Sequence, residues 1–480
     1  MALFFISQLA ASGVTLLVFL ALTRLLGPAE FGAYNIIVLS GAVAFDILFG
    51  WMGAAVTRFH FAEEFNKRAI AVVLGALLRM VLVLVPLAVI AAFYVPPALV
   101  LPMALAALYC LCHASHDLMM SCLRVYRAGK PFAIAIIGRP LVGLVFALAL
   151  VLLGFGVTGA VIGMAMGAAA MGAFALTKVY HRSGIQSPDL PALRQFVHFG
   201  FPLAVVASAS SALALLTQTA LASMISLQAV GIFAATQVLT MRTIGMPMTV
   251  LSRVNSPNVY SAYEAQGRAA AQDELNLHFS FLMLMTGPVV LTLFTANETV
   301  AHALLDPAYS DLVAEMLPIL TLAAFLTGMR GAFFSFCFTI SQRTWIQFVI
   351  LGGMVAGHAA VAFTMVWFFG LVGAAYGVLL TAATALAVFA YVGERIYPIS
   401  LPLPEVARLA VAVLCAAPFG FYADTLTDMP SALGYVALQA LVFVLVLTLS
   451  GQAATRLIVR KLWSRTLRRL RRAPQQAVAE

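Results

Sequence analysis

Six charged side chains stand well inside long apolar stretches, where a charge is costly and therefore needs a functional reason. They are four arginines and two aspartates: Arg79, Arg139, Arg242, Arg330, Asp46 and Asp117. A guanidinium is planar, permanently charged and able to donate to two oxygens at once, so it suits phosphate groups. Because the cations outnumber the carboxylates, a cavity lined by these residues would favour an anion. The structural alternatives are Arg–Asp pairing and, for Arg139 and Arg330, snorkelling to an interface.

The two aspartates are candidates for binding a coupling proton or Na⁺, although they could instead neutralise the arginines. His113, His116 and Asp117 follow an i, i+3, i+4 spacing, which places them on one face of a helix. That face could handle protons or line a polar cavity, whereas a zinc site would need further ligands. We therefore predict no metal site, no cofactor and no catalytic residues. Polar amides in the same apolar stretches are further candidates for lining a cavity or bonding across helices: Gln8, Asn35, Gln218 and Gln237.

The composition requires a membrane. Hydrophobic residues make up 63% of the 480 residues and charged residues only 9%, whereas soluble domains are about a quarter charged. A lipid bilayer is the solvent that tolerates such a chain. The net charge of +9 is concentrated at one end, because eight of the 27 Lys and Arg lie in the last 25 residues. We therefore attribute the excess of basic residues to membrane topology and to contact with lipid headgroups, and predict no binding of nucleic acid.

Fourteen stretches are long and apolar enough to cross a bilayer, which takes about 20 residues each. We therefore predict an all-α, polytopic membrane protein with about 14 transmembrane helices. The predicted spans are 2–22, 31–57, 69–93, 98–123, 132–154, 157–177, 197–224, 229–252, 279–296, 313–340, 345–368, 371–392, 405–422 and 431–450.

The loop charges predict the orientation, because cytoplasmic loops carry an excess of Lys and Arg. Of the 27 Lys and Arg, 22 fall in the tail, in loops after even-numbered spans or at a span end next to such a loop, whereas loops after odd-numbered spans hold only Arg24. This bias predicts an even number of spans with both termini in the cytoplasm. The tail from Arg456 to Arg472 places apolar residues at helical intervals among arginines. It is either a helix lying on an anionic leaflet or a plain positive-inside signal.

Two pairs of matching segments stand roughly 200 residues apart. Glu30–Tyr34 matches Ala229–Phe233, and Gly156–Gly163 matches Gly370–Gly377, where both segments read G-x-x-G-A-x-x-G. Small residues at this spacing let a neighbouring backbone approach closely. We predict two parallel six-helix lobes with a binding site between them, as in transporters built from repeats. The predicted parts are an N-lobe at 1–178, a cytoplasmic linker at 179–196, a C-lobe at 197–393, an additional helix pair at 394–452 and a basic cytoplasmic tail at 453–480.

The segment Thr23–Tyr34 reads T-R-L-L-G-P-A-E-F-G-A-Y. It resembles the R-x-L-G-P-x-x-F-G-x-Y signature of the oligosaccharide flippases, the polysaccharide-transporter branch of the multidrug/oligosaccharidyl-lipid/polysaccharide superfamily. The two-lobed plan and Ser256–Tyr260, which reads S-P-N-V-Y, also resemble that branch. Strong motif matching covers about the first 70 residues. Arg24 falls on the signature and becomes a fifth candidate substrate residue.

The resemblance implies export of undecaprenyl-pyrophosphate-linked repeat units of O-antigen, capsule or exopolysaccharide across a bacterial cytoplasmic membrane. It also implies a cationic lumen. We expect alternating access, a monomeric transport unit, and the lipid-linked oligosaccharide and membrane lipids as partners. Polysaccharide polymerases and other assembly proteins are further candidate partners.

Two other functions stay open. A multidrug or cation antiporter of the same fold would need buried carboxylates and aromatics, and the excess of arginine argues against it. A membrane-embedded polysaccharide polymerase or ligase would need a large outer loop with catalytic residues. The loop 297–312 holds Glu298, His302 and Asp306 but is short. We therefore predict a transporter and not an enzyme.

Overall fold

The part of the chain that the structure describes is nearly all helical. The computed structural model describes residues 2–60, 68–187 and 190–457, and no β-strand occurs among them. Seventeen α-helices have both ends within these ranges. Those of the first half are α1 (Ala2–Leu25), α2 (Pro28–Leu48), α3 (Gly50–Phe59), α4 (Ala69–Ala92), α5 (Pro97–Val125), α6 (Gly129–Leu150) and α7 (Gly156–Ser183). Those of the second half are α8 (Leu190–Met224), α9 (Leu227–Thr240), α10 (Met246–Gln266), α11 (Arg268–Thr295), α12 (Asn297–Leu304), α13 (Pro307–Met329), α14 (Phe336–Ile340), α15 (Thr344–Ile396), α16 (Leu403–Ala423) and α17 (Met429–Leu449).

Two helical stretches are too long to cross the membrane once. Gly129–Ser183 has 55 residues and Thr344–Ile396 has 53. A straight helix of that length would measure about 80 Å, against about 30 Å of hydrocarbon. The backbone has positive φ at Gly154 (91°), Gly156 (47°) and Gly370 (60°), a conformation that glycine adopts readily. Each stretch therefore folds back on itself as a helical hairpin.

The G-x-x-G-A-x-x-G repeat marks these two reversals. The first glycine of each copy has the positive φ, and the later glycines press against the preceding arm. A Cβ on Gly163 would overlap the backbone of Ala147, and one on Gly373 would overlap the Met365 carbonyl oxygen. The prediction that these small residues permit close backbone approach is therefore confirmed.

The predicted fold class is confirmed, with some differences in boundaries. Among the described residues, twelve helical stretches are long and apolar enough to span a membrane, and counting both arms of each hairpin gives fourteen segments. The second predicted span is broken at Phe49, between α2 and α3. The stretch between the eighth and ninth predicted spans is largely helical, because α10 continues to Gln266 and α11 begins at Arg268. Hydropathy detects only the apolar part of a helix, so it misses such solvated extensions. The basic tail beyond residue 457 lies outside the described residues.

Helix packing divides into two halves that meet along α2. In the first half, α5 packs against α2 and α7, and α6 against α1 and α7; in the second half, α15 packs against α8 and α13. Between the halves, α2 packs against α8 and α9, and α3 packs against α8. The pair α16 and α17 packs against α11, where Gln439 donates a hydrogen bond to Thr295 Oγ1 (2.6 Å). The predicted domain boundaries at 178, 196, 393 and 452 stay predictions.

One end of the bundle is closed by backbone contact between the halves. We name it the outer end, following the charge-based prediction, and the opposite end the inner end. A Cβ on Gly32 would overlap the Leu227 carbonyl oxygen, and a Cβ on Gly231 would overlap the Pro28 carbonyl oxygen. These two glycines occupy the same position in the first pair of matching segments. The Glu30–Tyr34 repeat thus forms a tight crossing of α2 and α9.

Replacing Gly370 should destabilise the second hairpin. Gly370 has φ 60° and ψ −137°, a region almost restricted to glycine, so we expect Gly370→Ala to cost about 1–3 kcal/mol of unfolding free energy. Thermal unfolding of the purified protein in detergent measures the loss. Gly353→Ala, in the same helix with open space around its Cβ position, is the control and should be neutral or stabilising. Equal thermal midpoints for the two variants would contradict this assignment.

Candidate functional site

A cavity of about 470 Å³, which we call the central cavity, lies between the two halves. Its walls come from α1, α2, α5, α6 and α7 on one side and from α9, α10 and the segment joining them on the other. The polar residues that line it are Gln8, Ser12, Thr15, Tyr34, Asn35, Tyr109, His116, Asp117, Arg124, Arg139, Arg242 and Arg253. A site between two repeats is the arrangement predicted for a transporter.

Four arginines and one carboxylate face the central cavity. Arg124 and Arg139 come from the first half, Arg242 and Arg253 from the second, and the carboxylate is Asp117. Arg124 and Arg253 are exposed at the inner end, whereas the other two arginines are half-buried deeper in the cavity. A concave surface with this excess of positive charge attracts and concentrates anions.

Ion pairs do not neutralise these four arginines. Within the described ranges the ion pairs join His302 to Asp311 and Glu405 to Arg408, away from the central cavity. Asp117 therefore forms no ion pair with the arginines around it, and the predicted alternative of Arg–Asp pairing is not realised in this cavity. The guanidinium groups remain available for charge-assisted hydrogen bonds to a ligand.

The deeper two arginines form a cluster with two tyrosines. Arg139 Nη2 donates a hydrogen bond to the Tyr109 hydroxyl at 3.2 Å. Arg242 lies within electrostatic reach of Arg139, Tyr109 and Tyr34. Two like charges in a confined, poorly solvated space repel one another. An anion bound between Arg139 and Arg242 would replace this repulsion with attraction to both halves of the bundle.

A second cavity of about 380 Å³ lies mainly in the second half of the chain. Residues of α8, α9, α10, α13 and α15 line it, with a small contribution from α2. Arg330 faces this cavity, and Arg242 lines both cavities. Arg242 lies in the π-helical segment Met241–Gly245 and Arg330 begins the π-helical segment Arg330–Phe334. π-helical turns inside α-helices occur frequently at functional sites.

Two of the five predicted substrate residues lie outside both cavities. Arg79 is exposed on α4, and Arg24 is exposed in the last turn of α1. The structure brings Arg139 and Arg242 together in the central cavity and places Arg330 in the second one. Counting apolar residues shows that an arginine is inside a span, but the face it occupies depends on how the helices pack.

Arg124 and Arg253 directly follow predicted spans, so the sequence places them among the loop cations and does not single them out as site residues. A signal was nevertheless available in their spacing. Arg124 follows Asp117 by seven residues, and Arg253 follows Arg242 by eleven. These intervals correspond to two and three helical turns, so each pair occupies one helix face.

The candidate ion-coupling residues all belong to the first half but do not share one environment. Asp117 and His116 line the central cavity. Asp46 is half-buried near a serine of α8 and outside the cavity lining. His113 packs edge-on against Phe45, with ring centroids 4.5 Å apart. In the part of the chain that the structure describes, no three His, Cys, Asp or Glu side chains come together as a metal site.

The four polar amides serve both of the roles left open by the sequence. Gln8 lines the central cavity, Gln237 lines the second, and Asn35 lines both. Gln218 of α8 also borders the second cavity and donates a hydrogen bond to Asn35 Oδ1 of α2 at 3.1 Å. Cross-helix bonding and cavity lining are therefore compatible.

Comparison with solved structures identifies relatives of the fold. The chain is similar to the lipid II flippase MurJ in an inward closed conformation, with a TM-score of 0.75, 13% identity and coverage of 94% of this chain and 98% of that one. It is also similar to an inward-facing multidrug resistance MATE family transporter of the MOP superfamily, with a TM-score of 0.60, 16% identity and coverage of 81% and 94%. A MOP superfamily transporter from Pyrococcus furiosus, described by the reverse polarity of its binding pocket, matches with a TM-score of 0.57, 16% identity and coverage of 82% and 94%. Identities this low establish the fold alone.

Sequence comparison places the chain in a family. No curated protein sequence matches it. The profile of the family described as polysaccharide biosynthesis protein matches residues 1–262, more than half of the 480 residues. The matched part contains α1 to α9 and most of α10, and thus all four arginines of the central cavity. The chain is a multi-pass membrane protein with a transporter fold, and it belongs to the polysaccharide biosynthesis protein family.

Proposed function

We propose that this protein is a flippase that moves a polyprenyl-pyrophosphate-linked oligosaccharide across a bacterial cytoplasmic membrane. The repeat units of O-antigen, capsule and exopolysaccharide are substrates of this kind. The saccharide and pyrophosphate enter the central cavity from the inner, cytoplasmic end, while the polyprenyl tail stays in the lipid. The protein carries both termini in the cytoplasm and acts without a catalytic residue.

The observation that carries this proposal is the set of four cavity arginines without an ion-pair partner. A pyrophosphate presents several oxygens with at least two negative charges, which matches guanidinium groups approaching from two sides. Arg139 belongs to the first half and Arg242 to the second. A pyrophosphate held between them would therefore contact both halves, so its binding and the relative movement of the halves would be coupled.

The closed outer end supports alternating access. Gly32 and Gly231 hold α2 and α9 in backbone contact there, and the Tyr309 hydroxyl donates a hydrogen bond to the Leu26 carbonyl at 2.9 Å. At the inner end Arg124 and Arg253 are exposed to an entering ligand. Separation of the outer contacts and closure of the inner end would release the headgroup on the other side.

An antiporter of cationic drugs is the second candidate, because multidrug MATE transporters share the fold. The charge of the central cavity favours the flippase, since four arginines against one aspartate repel a cation. A polysaccharide polymerase or ligase is a weaker candidate. The family name concerns polysaccharide biosynthesis, and the similar structures are described as flippases and transporters.

The proposal includes that binding of a proton or Na⁺ to residues of the first half is coupled to transport of the substrate. Asp117 and His116 line the central cavity, so a cation bound there would neutralise the Asp117 carboxylate and add to the positive charge that attracts the substrate. Asp46 lies within electrostatic reach of Asp117. Transport measured with an imposed proton or sodium gradient tests this point, and a rate that ignores both gradients would exclude coupling.

Transport by the purified chain tests the function directly. We expect proteoliposomes containing it to move a fluorescent polyprenyl-pyrophosphate disaccharide between leaflets, measured by quenching with an impermeant reductant. Empty liposomes supply the background rate. A cationic dye tested in the same vesicles should not be transported. Dye transport without movement of the lipid-linked disaccharide would favour the antiporter and reject the flippase.

A further inference from the structure

The proposed binding of pyrophosphate does not use the second cavity. The second cavity nevertheless adjoins the central cavity, because some residues line both. The two cavities share Asn35, Val238, Arg242 and Met246. Its volume of about 380 Å³ falls at the low end of the range of roughly 300–1,000 Å³ found for small-ligand pockets. A ligand whose pyrophosphate occupies the central cavity could therefore extend past Arg242 into this space.

The second cavity contains positive charge without a carboxylate. Arg330 and Arg242 line it, and none of the residues lining it is an Asp or Glu. The Arg330 guanidinium lies over the ring of Phe389, 5.1 Å from its centroid. It belongs to neither of the ion pairs in the described ranges. Burying a guanidinium without a counter-ion costs free energy, and contact with a ring face offsets only part of that cost. A ligand that supplies a negative charge would offset more of it.

The rest of the lining suits a sugar. Neutral hydrogen-bonding side chains surround the charge: Ser210, Ser211, Gln237, Thr249 and Thr327. Apolar side chains such as Leu39 and Met354 cover other parts of the wall. A pyranose ring has hydroxyls at its edge and C–H groups on its faces, so it needs both kinds of surface.

One wall of the second cavity is rigid. His358 Nε2 and the Thr217 hydroxyl are 2.8 Å apart, and His358 Nδ1 and the Thr381 hydroxyl are 2.7 Å apart. These hydrogen bonds tie α8 to both arms of the α15 hairpin. A wall fixed in this way holds its polar groups in place before a ligand arrives, which favours selective binding.

We propose that the second cavity is a subsite for an acidic sugar, and that Arg330 binds the carboxylate of that sugar. This inference rests on the proposed flippase function and adds that the transported oligosaccharide is acidic. A single guanidinium can bind both oxygens of one carboxylate through its planar fork. The arginines of the central cavity bind the phosphates of the same ligand. A coupling cation is a poor occupant of the second cavity, because Arg330 and Arg242 repel it.

The test compares two ligands that differ by one carboxylate. Each is a short-chain polyprenyl pyrophosphate linked to a disaccharide, one ending in glucuronate and the other in glucose. Binding to the full-length protein in nanodiscs is measured by titration. We expect the wild type to bind the glucuronate ligand roughly 10-fold or more tightly than the glucose ligand, as for a hydrogen-bonded charge pair.

Arg330→Gln should remove this preference by weakening only the glucuronate ligand, while affinity for the glucose ligand stays within about twofold. Arg330→Lys keeps the charge without the fork and should retain part of the preference; it also serves if the glutamine variant folds poorly. Arg343→Gln, exposed and outside both cavities, is the matched control and should keep the full preference.

Each outcome has a separate meaning. Equal binding of both ligands by the wild type would overturn the acidic subsite and leave the flippase function standing. A preference that persists in Arg330→Gln would remove Arg330 from the subsite and overturn the proposal. If the wild type bound neither ligand, the proposed function itself would fail.

Discussion

Arg139→Gln and Arg242→Gln are each expected to weaken binding of a polyprenyl-pyrophosphate substrate by roughly 10- to 100-fold, which corresponds to about 1.5–3 kcal/mol for a hydrogen bond to a charged group. Both guanidinium groups line the central cavity and neither has an ion-pair partner. Glutamine retains hydrogen bonding but removes the charge, so the change isolates electrostatics. Transport in proteoliposomes and titration with the pyrophosphate ligand measure the effect.

Arg79→Gln is the matched comparison, because sequence and structure predict different results for it. The sequence suggests an intramembrane substrate residue, whereas the structure places Arg79 exposed on α4, away from both cavities. We expect Arg79→Gln to keep substrate affinity within about twofold. Loss of binding in Arg79→Gln together with normal binding in the two cavity variants would reject the central cavity as the substrate site.

Gly231→Ala is expected to hold the outer end open and to reduce transport strongly. The added Cβ would overlap the Pro28 carbonyl oxygen, and a backbone atom cannot move aside as a flexible side chain can. Overpacking of this kind costs about 1–3 kcal/mol, which would lower the population of the outer-closed state by roughly 5- to 150-fold. Gly231→Leu should abolish closure.

Labelling from the outside measures the opening. In a variant without the native cysteines, Val18→Cys places a thiol in the central cavity, where Val18 is only 3% exposed. An impermeant thiol reagent added outside should react slowly in the parent protein and quickly when Gly231→Ala is added. Gly434→Ala, with open space around its Cβ position, should leave the reaction slow. Unchanged labelling and normal transport in Gly231→Ala would show that the outer contact does not gate the cavity.

The Tyr309 hydrogen bond explains why the outer closure is more than a crossing of two helices. Tyr309 of α13 is almost completely buried and reaches the turn between α1 and α2. Its ring also meets the ring of Phe31 edge-on at 6.3 Å. The contact joins positions 283 residues apart in the chain, so no local pattern predicts it.

Several features followed from the sequence because they depend on local composition. Apolar stretches of bilayer length predicted an all-α membrane protein with about 14 spans. The glycines of the G-x-x-G-A-x-x-G segments predicted close backbone approach, which the hairpin at Gly163 confirms. The signature in Thr23–Tyr34 pointed to the family, and the excess of intramembrane arginine pointed to an anion.

Only the tertiary structure decided which charges share a cavity. A bilayer makes every intramembrane arginine costly in the same way, so the sequence could not separate Arg79 from Arg242. It also assigned Arg124 and Arg253 to loops. Many span ends on the inner side carry cations, so two arginines at the entrance of a cavity on that side do not stand out in the sequence. The rotation of each helix about its axis is set by packing between distant segments. That rotation turns Arg139 toward Arg242 and leaves Arg79 outside both cavities, and it encloses Arg330 in a separate cavity.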